Sequence, residues 1–552
     1  MYSDKENINI LTALLLAHGV RHAVVCPGSR NAPITHNLCE ARGMTCVSVT
    51  DERSAAFVAL GKAQALGEPV VVCVTSGSAL VNTLPAVVEA WYQHVPIIVV
   101  SADRPAAMIG QLQGQTMPQQ KTLEAFWAKE VSLPEPHDDV ERWYCNRLAN
   151  EALCAMKQFG GGPVHINVPI SEPLFNFTTA ELPTERRVSL MDNHLWPSEL
   201  TEEFLVSSRP MLVVGQLQCT VARRVSGAIR RLEESVVVLS EQLATCGNAP
   251  CHFDEALIGI GEQEAYKPDY IIYIGDTLVS KRAKHFLQHC HPKSCVVVNA
   301  SGELTDVTMN VTDVVVCPVE DALDSLCEKL ESGDVALGNE ASAFRGRWAM
   351  ALDKWAIRCK VFEPAYSQMM AVRRLCEQTN GQECHMQFAN SSAVRLGQLY
   401  SSHHLYVNRG VNGIEGSLST AVGFASEKAV TVYCVIGDLS FFYDQNALWN
   451  GVGKRHLRMV VLNNGGGGIF HQLRGLEQSP YRDSFVSATH TASAKGVCEA
   501  TGVAYKAASN EEELAEGISW ITRGQATGPL LLEVFTNAEI DAREYKKYLE
   551  TK

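Results

Sequence analysis

Several absences narrow what this chain can be. Across its 552 residues no run of about 18 consecutive apolar side chains occurs, the minimum for a membrane-spanning helix. The N-terminal MYSDKENINI carries no basic-then-apolar export pattern, so the expected location is the cytoplasm. No Cys-x-x-Cys pair occurs among the 18 cysteines, and Cys26, Cys73 and Cys434 sit in apolar runs where a free thiol acts as a small hydrophobe. His289-Cys290-His291 with Cys295 lacks the paired spacing of a structural zinc site. Nor does a dense Lys/Arg block offset the formal net charge of −14, which disfavours nucleic acid and anionic membranes as partners. Low-complexity tracts and short solenoid repeats are missing too.

What is present is a chain 46% hydrophobic, with ample material for several cores. Short apolar, β-branched runs alternate with helical stretches, as parallel sheets covered on both faces require. Strands are expected at Ala23–Cys26, Thr45–Val49, Val70–Val74, Ile97–Val100 and Val164–Val168 in a first α/β domain over 1–180. A second over 200–331 carries Met211–Val214, Val236–Leu239, Tyr270–Ile274, Cys295–Val298 and Val314–Cys317. A third over 345–552 carries Met386–Phe388, His404–Val407, Val430–Ile436, Arg458–Leu462 and Leu530–Phe535. The polar stretches Glu181–Glu199 and Ser332–Ser342 read as linkers. Domains one and three are candidates for a distant structural duplication.

Two of these strands end on unusual chemistry. Val430–Ile436 runs into Gly437-Asp438-Leu439-Ser440, and Arg458–Leu462 into Asn463-Asn464 with glycines at 465–468; Asp444–Lys454 reads as the crossover helix between them. Ligands of open α/β sheets bind beyond the carboxyl ends of the strands. Mg²⁺ takes about six oxygens, one or two of them from side chains and others from substrate phosphates. Asp438, the Asn464 amide and a carbonyl in the glycine run suit that role, although a helix-capping Asp and an Asn-Gly turn are ordinary loop chemistry.

The spacing resembles the cofactor motif of thiamine diphosphate-dependent enzymes, which opens Gly-Asp and closes Asn-Asn. Such enzymes draw a glutamate from another domain, and Glu52 occupies that place after the strand Thr45–Val49, followed by the small residues Ala55, Ala56, Ala59, Gly61 and Ala63. Cationic loops also follow expected strands: Pro27-Gly28-Ser29-Arg30, Ala102-Asp103-Arg104-Pro105, Ser280-Lys281-Arg282, Ser391 to Arg395, and Asn408-Arg409-Gly410. Arg pairs bidentately with carboxylates, so the set Arg30, Arg104, Lys281, Arg282, Arg395 and Arg409 suits polyanionic substrates.

Pro27-Gly28-Ser29-Arg30, Asp51-Glu52-Arg53, Thr75-Ser76-Gly77, Ala102-Asp103-Arg104-Pro105, Asn408-Arg409-Gly410 with Gly413-Ile414, Gly437-Asp438-Leu439-Ser440 and Gly468-Ile469-Phe470 together resemble the 2-succinyl-5-enolpyruvyl-6-hydroxy-3-cyclohexene-1-carboxylate synthase family of menaquinone biosynthesis, the middle domain least closely. Leu439 in the metal motif is a trait of that family; Gly114, Gly465 and Gly468 depart from its usual Asn, Asn and Gln. The resemblance implies three doubly wound parallel-sheet domains, the first binding the cofactor's pyrimidine and the third its diphosphate. It implies that Glu52 binds the aminopyrimidine and that Ile414 props the cofactor bent. Asp438, Leu439, Ser440, Asn464, Gly466 and Ile469 would bind cofactor, with Asp438, Asn464 and Gly466 on Mg²⁺ or Mn²⁺. Ser391, Arg395 and Arg409 would hold 2-oxoglutarate, and Ser29, Arg30, Arg104, Gln115, Lys281 and Arg282 would hold isochorismate, with Phe470 lining the substrate site. The reaction implied is decarboxylation of 2-oxoglutarate and addition of the succinyl carbanion to isochorismate. A homodimer or homotetramer with sites at subunit interfaces is implied as well. The alternative is another enzyme of the superfamily, such as an acetolactate synthase or a 2-oxoacid decarboxylase.

Overall fold

A computed structural model of the chain describes residues 1–122, 124–156, 161–188, 195–302, 305–333, 337–472, 475–523 and 527–550. Three sheets, each flanked by helices, make up an α/β fold. The first holds β1 His22–Val25, β2 Thr45–Ser48, β3 Val70–Val74, β4 Ile97–Asp103, β5 Lys129–Ser132 and β6 Val164–Pro169. The middle sheet holds β7 Pro210–Val214, β8 Val237–Ser240, β9 Tyr270–Ile274, β10 Ser294–Asn299 and β11 Asp313–Val316. The third holds β12 His385–Phe388, β13 Leu405–Tyr406, β14 Val432–Gly437, β15 Leu457–Asn463, β16 Ala504–Ala508 and β17 Leu530–Phe535. Central strands such as β3, β4, β7, β9 and β15 are buried along their whole length, the physical reason their sequences are mostly apolar.

The pairing is parallel. In the first sheet the order is β2-β1-β3-β4-β6-β5, and the third repeats it as β13-β12-β14-β15-β17-β16. The middle sheet, β11-β10-β9-β7-β8, follows the same winding without the sixth strand. Each sheet therefore reverses its winding between its first and third strands, and the crevice beyond the strand ends at that point is where such sheets bind ligands. The three switch points lie at β1/β3, β7/β9 and β12/β14.

Three expectations need correction. Asp444–Lys454 is not a crossover helix: a short helix covers Asp438–Tyr443 and a 3₁₀ turn Gln445–Ala447. The reason is local, since the buried Asp444 carboxylate accepts hydrogen bonds from the Ser419 amide (2.6 Å) and hydroxyl (2.7 Å), and two glycines, Gly451 and Gly453, follow. The strands β5 and β16 were not expected; both are edges of their sheets with mixed burial and no apolar run. Parts of both expected linkers, 189–194 and 334–336, lie outside the described residues, and helices begin within the remainder, at Ser198 and Asn339.

The chain forms two compact units. One comprises Met1–Asp192, Gly410–Ala429 and Tyr443–Leu457; the other comprises Asn193–Arg409, Val430–Phe442 and Arg458–Lys552. Within the first unit the helix Glu52–Leu66 packs along the helix Ser417–Ser426. Glycine permits the close approach: a Cβ on Gly61 would lie 2.0 Å from the Thr420 carbonyl oxygen, and one on Gly423 would lie 2.1 Å from that of Val58. The ammonium of Lys62, 2% exposed, pairs with Glu427 and donates to the Ser426 hydroxyl at 3.1 Å, so a buried charge is matched across the contact. No described helix is long and apolar enough to cross a membrane.

Gly61→Ala is expected to lower the urea midpoint by the equivalent of about 1–3 kcal/mol, because the obstructing atom is backbone. Gly496→Ala, in a helix with nothing within 4 Å of its added methyl, should leave the midpoint unchanged or raise it. Equal midpoints for the two variants would refute the packing argument.

Candidate active site

The switch point of the third sheet carries the most unusual electrostatics. Asp438 follows the last residue of β14, and its carboxylate is 2% exposed. Oδ1 accepts from the Leu439 amide at 2.7 Å, and Oδ2 accepts from the Gly465 and Gly466 amides at 2.9 and 3.0 Å. The two glycines deliver those amides with φ of +76° and +153°, backbone angles that side-chain-bearing residues rarely adopt, and a Cβ at Gly466 would lie 2.7 Å from the Ser487 carbonyl oxygen. Burial pushes the Asp438 carboxyl above its ordinary range, against the pull of these amides and of His490, whose Nε2 lies 3.4 Å from Oδ2.

The two asparagines at the end of β15 divide the work. Asn463 is structural: its Nδ2 donates to the buried Glu533 carboxylate at 2.8 Å and to the Ala492 carbonyl at 3.0 Å. Asn464 donates through Nδ2 to Asp541 at 3.2 Å, which leaves its Oδ1 as an acceptor. A Cβ on Gly468 would lie 2.1 Å from that Nδ2, so glycine at this position is matched to the amide's placement. Ser440 is buried, while Leu439, Gly466, Ile469 and Phe470 are half-buried. A shielded carboxylate, an amide oxygen and a glycine carbonyl are the kinds of oxygen donor a hard divalent cation takes. Among the described residues no group of three or more His, Cys, Asp or Glu side chains could hold a metal, so any cation here would depend on further oxygens from its ligand.

Ser391, beside the same switch point, has φ +73°, and Arg395 sits one turn into the helix Ser392–Tyr400 that follows. Arg395 is half-buried and makes no hydrogen bond or ion pair among the described residues. It lines a cavity of ≈ 50 Å³ with Glu241, Asp254, Glu255, Ser280 and Tyr545. Arg282 pairs with Asp254, and Lys281 is exposed. Arg409 is 9% exposed and donates to Asn390 Oδ1 at 3.3 Å.

Two groups here escaped the sequence reading. Glu241, just after β8, accepts from the Val279 amide (2.7 Å) and the Ser280 amide (2.9 Å); burial pushes its carboxyl up to about 7, against those amides and the charge of Arg409. Lys284 donates to Thr277 Oγ1 at 2.9 Å, and burial followed by the Arg409 charge lowers its pKa. Lys284 lies three residues past Lys281 in one helix; that spacing was the available signal.

In the N-terminal unit Glu52 is the first residue of its helix, capped by Asp51, whose carboxylate accepts from the Ser54 amide at 3.0 Å. Glu52 is half-buried and accepts from Asn82 Nδ2 at 3.4 Å. Ile414 is 42% exposed on a loop whose start is pinned by Glu89: the buried carboxylate accepts from the Gly410 amide at 2.8 Å and the Val411 amide at 3.0 Å. Glu89 was missed as well, although an acid inside the apolar run Leu80–Tyr92 was a signal. Arg30 donates to the Ile170 carbonyl (2.9 Å) and to Glu172 (3.1 Å), and Arg104 reaches the same Glu172 oxygen at 3.9 Å. These two guanidiniums do converge, on an exposed carboxylate of the protein itself. Ser29 and Gln115 are exposed, and Gln115 has φ +55° with its backbone packed against Gly77.

Comparisons with known proteins match both ends of the chain. Residues 8–124 match the thiamine pyrophosphate enzyme N-terminal TPP binding domain, and residues 389–534 the C-terminal TPP binding domain. The chain is 42% identical to a protein of Bacteroides thetaiotaomicron over 99% of both chains. It is 41% identical to one of Phocaeicola vulgatus over 100% of both, and 31% identical to one of Porphyromonas gingivalis over 99% of this chain and 97% of the relative. All three are named 2-succinyl-5-enolpyruvyl-6-hydroxy-3-cyclohexene-1-carboxylate synthase.

The cavity beside Arg395 makes stability depend on pH. Burial, then the charge of Asp254, pushes Glu255 up to about 8, and Glu241 rises to about 7, both from an ordinary value of 4.5. Each therefore holds its proton more tightly folded than unfolded, a stabilisation complete below about pH 4.5 and lost as pH rises through 7 and 8. The urea midpoint is expected to decline from pH 5 to pH 8, and Glu255→Gln, which cannot ionise, should decline less. Identical pH profiles for the two proteins would contradict this.

Proposed function

The chain belongs to the 2-succinyl-5-enolpyruvyl-6-hydroxy-3-cyclohexene-1-carboxylate synthase family, thiamine diphosphate-dependent transferases that form a carbon–carbon bond in menaquinone biosynthesis, and we propose that its substrates are 2-oxoglutarate and isochorismate. The first would lose CO₂ and its succinyl remainder would add to the second. Arg395 carries this reading: a half-buried guanidinium that makes no hydrogen bond or ion pair among the described residues, beside the switch point of the third sheet, is suited to receive a carboxylate. Arg409, near Lys284, adds positive charge for the same dianion. Arg30 and Arg104, with Ser29, Gln115, Lys281 and Arg282, are proposed for isochorismate, and Phe470 for the wall of the substrate site.

The residues around Asp438 fit the cofactor's diphosphate and its cation. Asp438, Asn464 and the Gly466 carbonyl would hold Mg²⁺ or Mn²⁺, and Leu439, Ser440 and Ile469 would line the cofactor. When bound, thiamine diphosphate supplies the nucleophilic carbon and the electron sink for decarboxylation and carboligation. Glu52 would hold a proton at its carboxyl toward the aminopyrimidine, and Ile414, fixed through Glu89, would support the cofactor's fold. Exposed Val81, Tyr92, Val411, Ile414, Tyr443 and Trp449 in the N-terminal unit support assembly with a second copy of the chain.

With thiamine diphosphate and Mg²⁺, CO₂ release from 2-oxoglutarate should depend on isochorismate, and chelation should abolish it. Turnover of pyruvate instead would favour the acetolactate synthase or decarboxylase alternative. Arg395→Ala is expected to lower kcat/KM for 2-oxoglutarate by about 10²-fold, the scale of a lost charge-assisted contact, and Glu52→Gln to lower kcat by about 10²–10⁴-fold. An active monomer in analytical ultracentrifugation would overturn the assembly proposal.

A further inference from the structure

A cluster outside the proposed active site combines two thiols, a phenol and an imidazole. Cys219 opens the 15-residue helix Cys219–Glu233, and its sulfur accepts a hydrogen bond from the Tyr406 hydroxyl. The Cys219 and Cys246 thiols lie close enough for each to act on the other's ionisation. Cys246 is held by its own amide, which donates to Ser226 Oγ of that helix at 2.7 Å. His404 closes the group: its Nδ1 donates to the carbonyl of Thr245, next to Cys246, at 3.3 Å, and its ring meets that of Tyr406 edge-on at 4.9 Å. Both residues are partly exposed.

We propose that Cys219 and Cys246 are a peroxide-reactive thiol pair that closes to a disulfide. Three features favour Cys219 as the attacking sulfur. It stands at the positive end of a helix dipole, it accepts a hydrogen bond from a phenol beside a second thiol, and Arg223 adds positive charge and His404 a polar ring nearby. Among the described thiols whose titration is displaced, Cys219 alone is pulled down, chiefly by the neighbouring Cys246 thiol; the others, Cys26, Cys73, Cys290 and Cys376 among them, are pushed up by burial or, for Cys246, by Cys219 itself.

The chemistry balances with a hydroperoxide as oxidant. The Cys219 thiolate attacks one peroxide oxygen; the O–O bond breaks, a sulfenic acid forms, and the leaving oxygen takes a proton to become water or an alcohol. Cys246 then attacks the Cys219 sulfur; the S–O bond breaks, water leaves, and the S–S bond forms. Two electrons pass from the sulfurs to the peroxide. The pair touches β13 through Tyr406, three residues before Arg409.

The test uses the full chain loaded with thiamine diphosphate and Mg²⁺. It is exposed to increasing hydrogen peroxide, alkylated, digested and mapped by mass spectrometry. The expected result is loss of the alkylated Cys219 and Cys246 peptides, and gain of their cross-linked product, before any other cysteine reacts. Cys246→Ser should stop at a Cys219 sulfenic acid that dimedone traps, and Cys219→Ser should leave Cys246 unmodified. If the exposed Cys39 is oxidised first while Cys219 and Cys246 stay alkylatable in the wild-type protein, the proposal is wrong. That comparison needs no variant, so a variant that fails to fold does not rescue it.

Discussion

A carboxylate removed from water has to be compensated where it stands, and much of the third sheet answers to that demand at Asp438. Three amides reach its oxygens, two of them from glycines held in conformations unavailable to most residues. Those glycines follow β15, so the strand's end must be fixed as well. Asn463 does this by binding Glu533 on the adjacent β17, and Glu533 in turn collects Ser493, Tyr505 and the Ala494 amide. One buried charge therefore organises the ends of two strands and the turn beyond them. The residual cost of burial, seen in the raised pKa of Asp438, is the physical opening for a cation.

The division into two units gives the chain a second constraint. Residues 410–429 and 443–457 flank β14 in sequence, yet they belong to the N-terminal unit. The glycine-mediated approach of two helices and the buried Lys62–Glu427 pair fasten the first segment. Asn446, donating to Asp51 at 2.7 Å, and Arg53, 4.7 Å above the Tyr443 ring, fasten the second. Both anchors of the second segment flank Glu52, so the residue proposed to face the pyrimidine is braced by chain from far along the sequence.

Central strands were readable from sequence because complete burial leaves an uninterrupted apolar run, as in Val70–Val74. Edge strands were not: Lys129–Ser132 and Ala504–Ala508 are half-wet, and their pattern is indistinguishable from loop. The Asp438–Asn464 pair was legible because backbone geometry demands glycine beside it. Glu89 and Glu241 were not legible in role, since their work is to satisfy amides of loops remote in sequence. The strand order, identical in the first and third sheets, could not be read from residues at all, because pairing between buried parallel strands leaves little trace in their composition.

Glu172 has a thermodynamic consequence of its own. It is 68% exposed yet lies against both Arg30 and Arg104, so a carboxylate docking on the same side of that pair competes with one already there. Where the two compete, docking is an ion exchange in which one anion leaves as another arrives. Few small counterions are released, and the affinity falls less steeply with salt than two bare guanidiniums would dictate. What such an exchange selects for is shape and the second charge, since the first is cancelled by the carboxylate that departs.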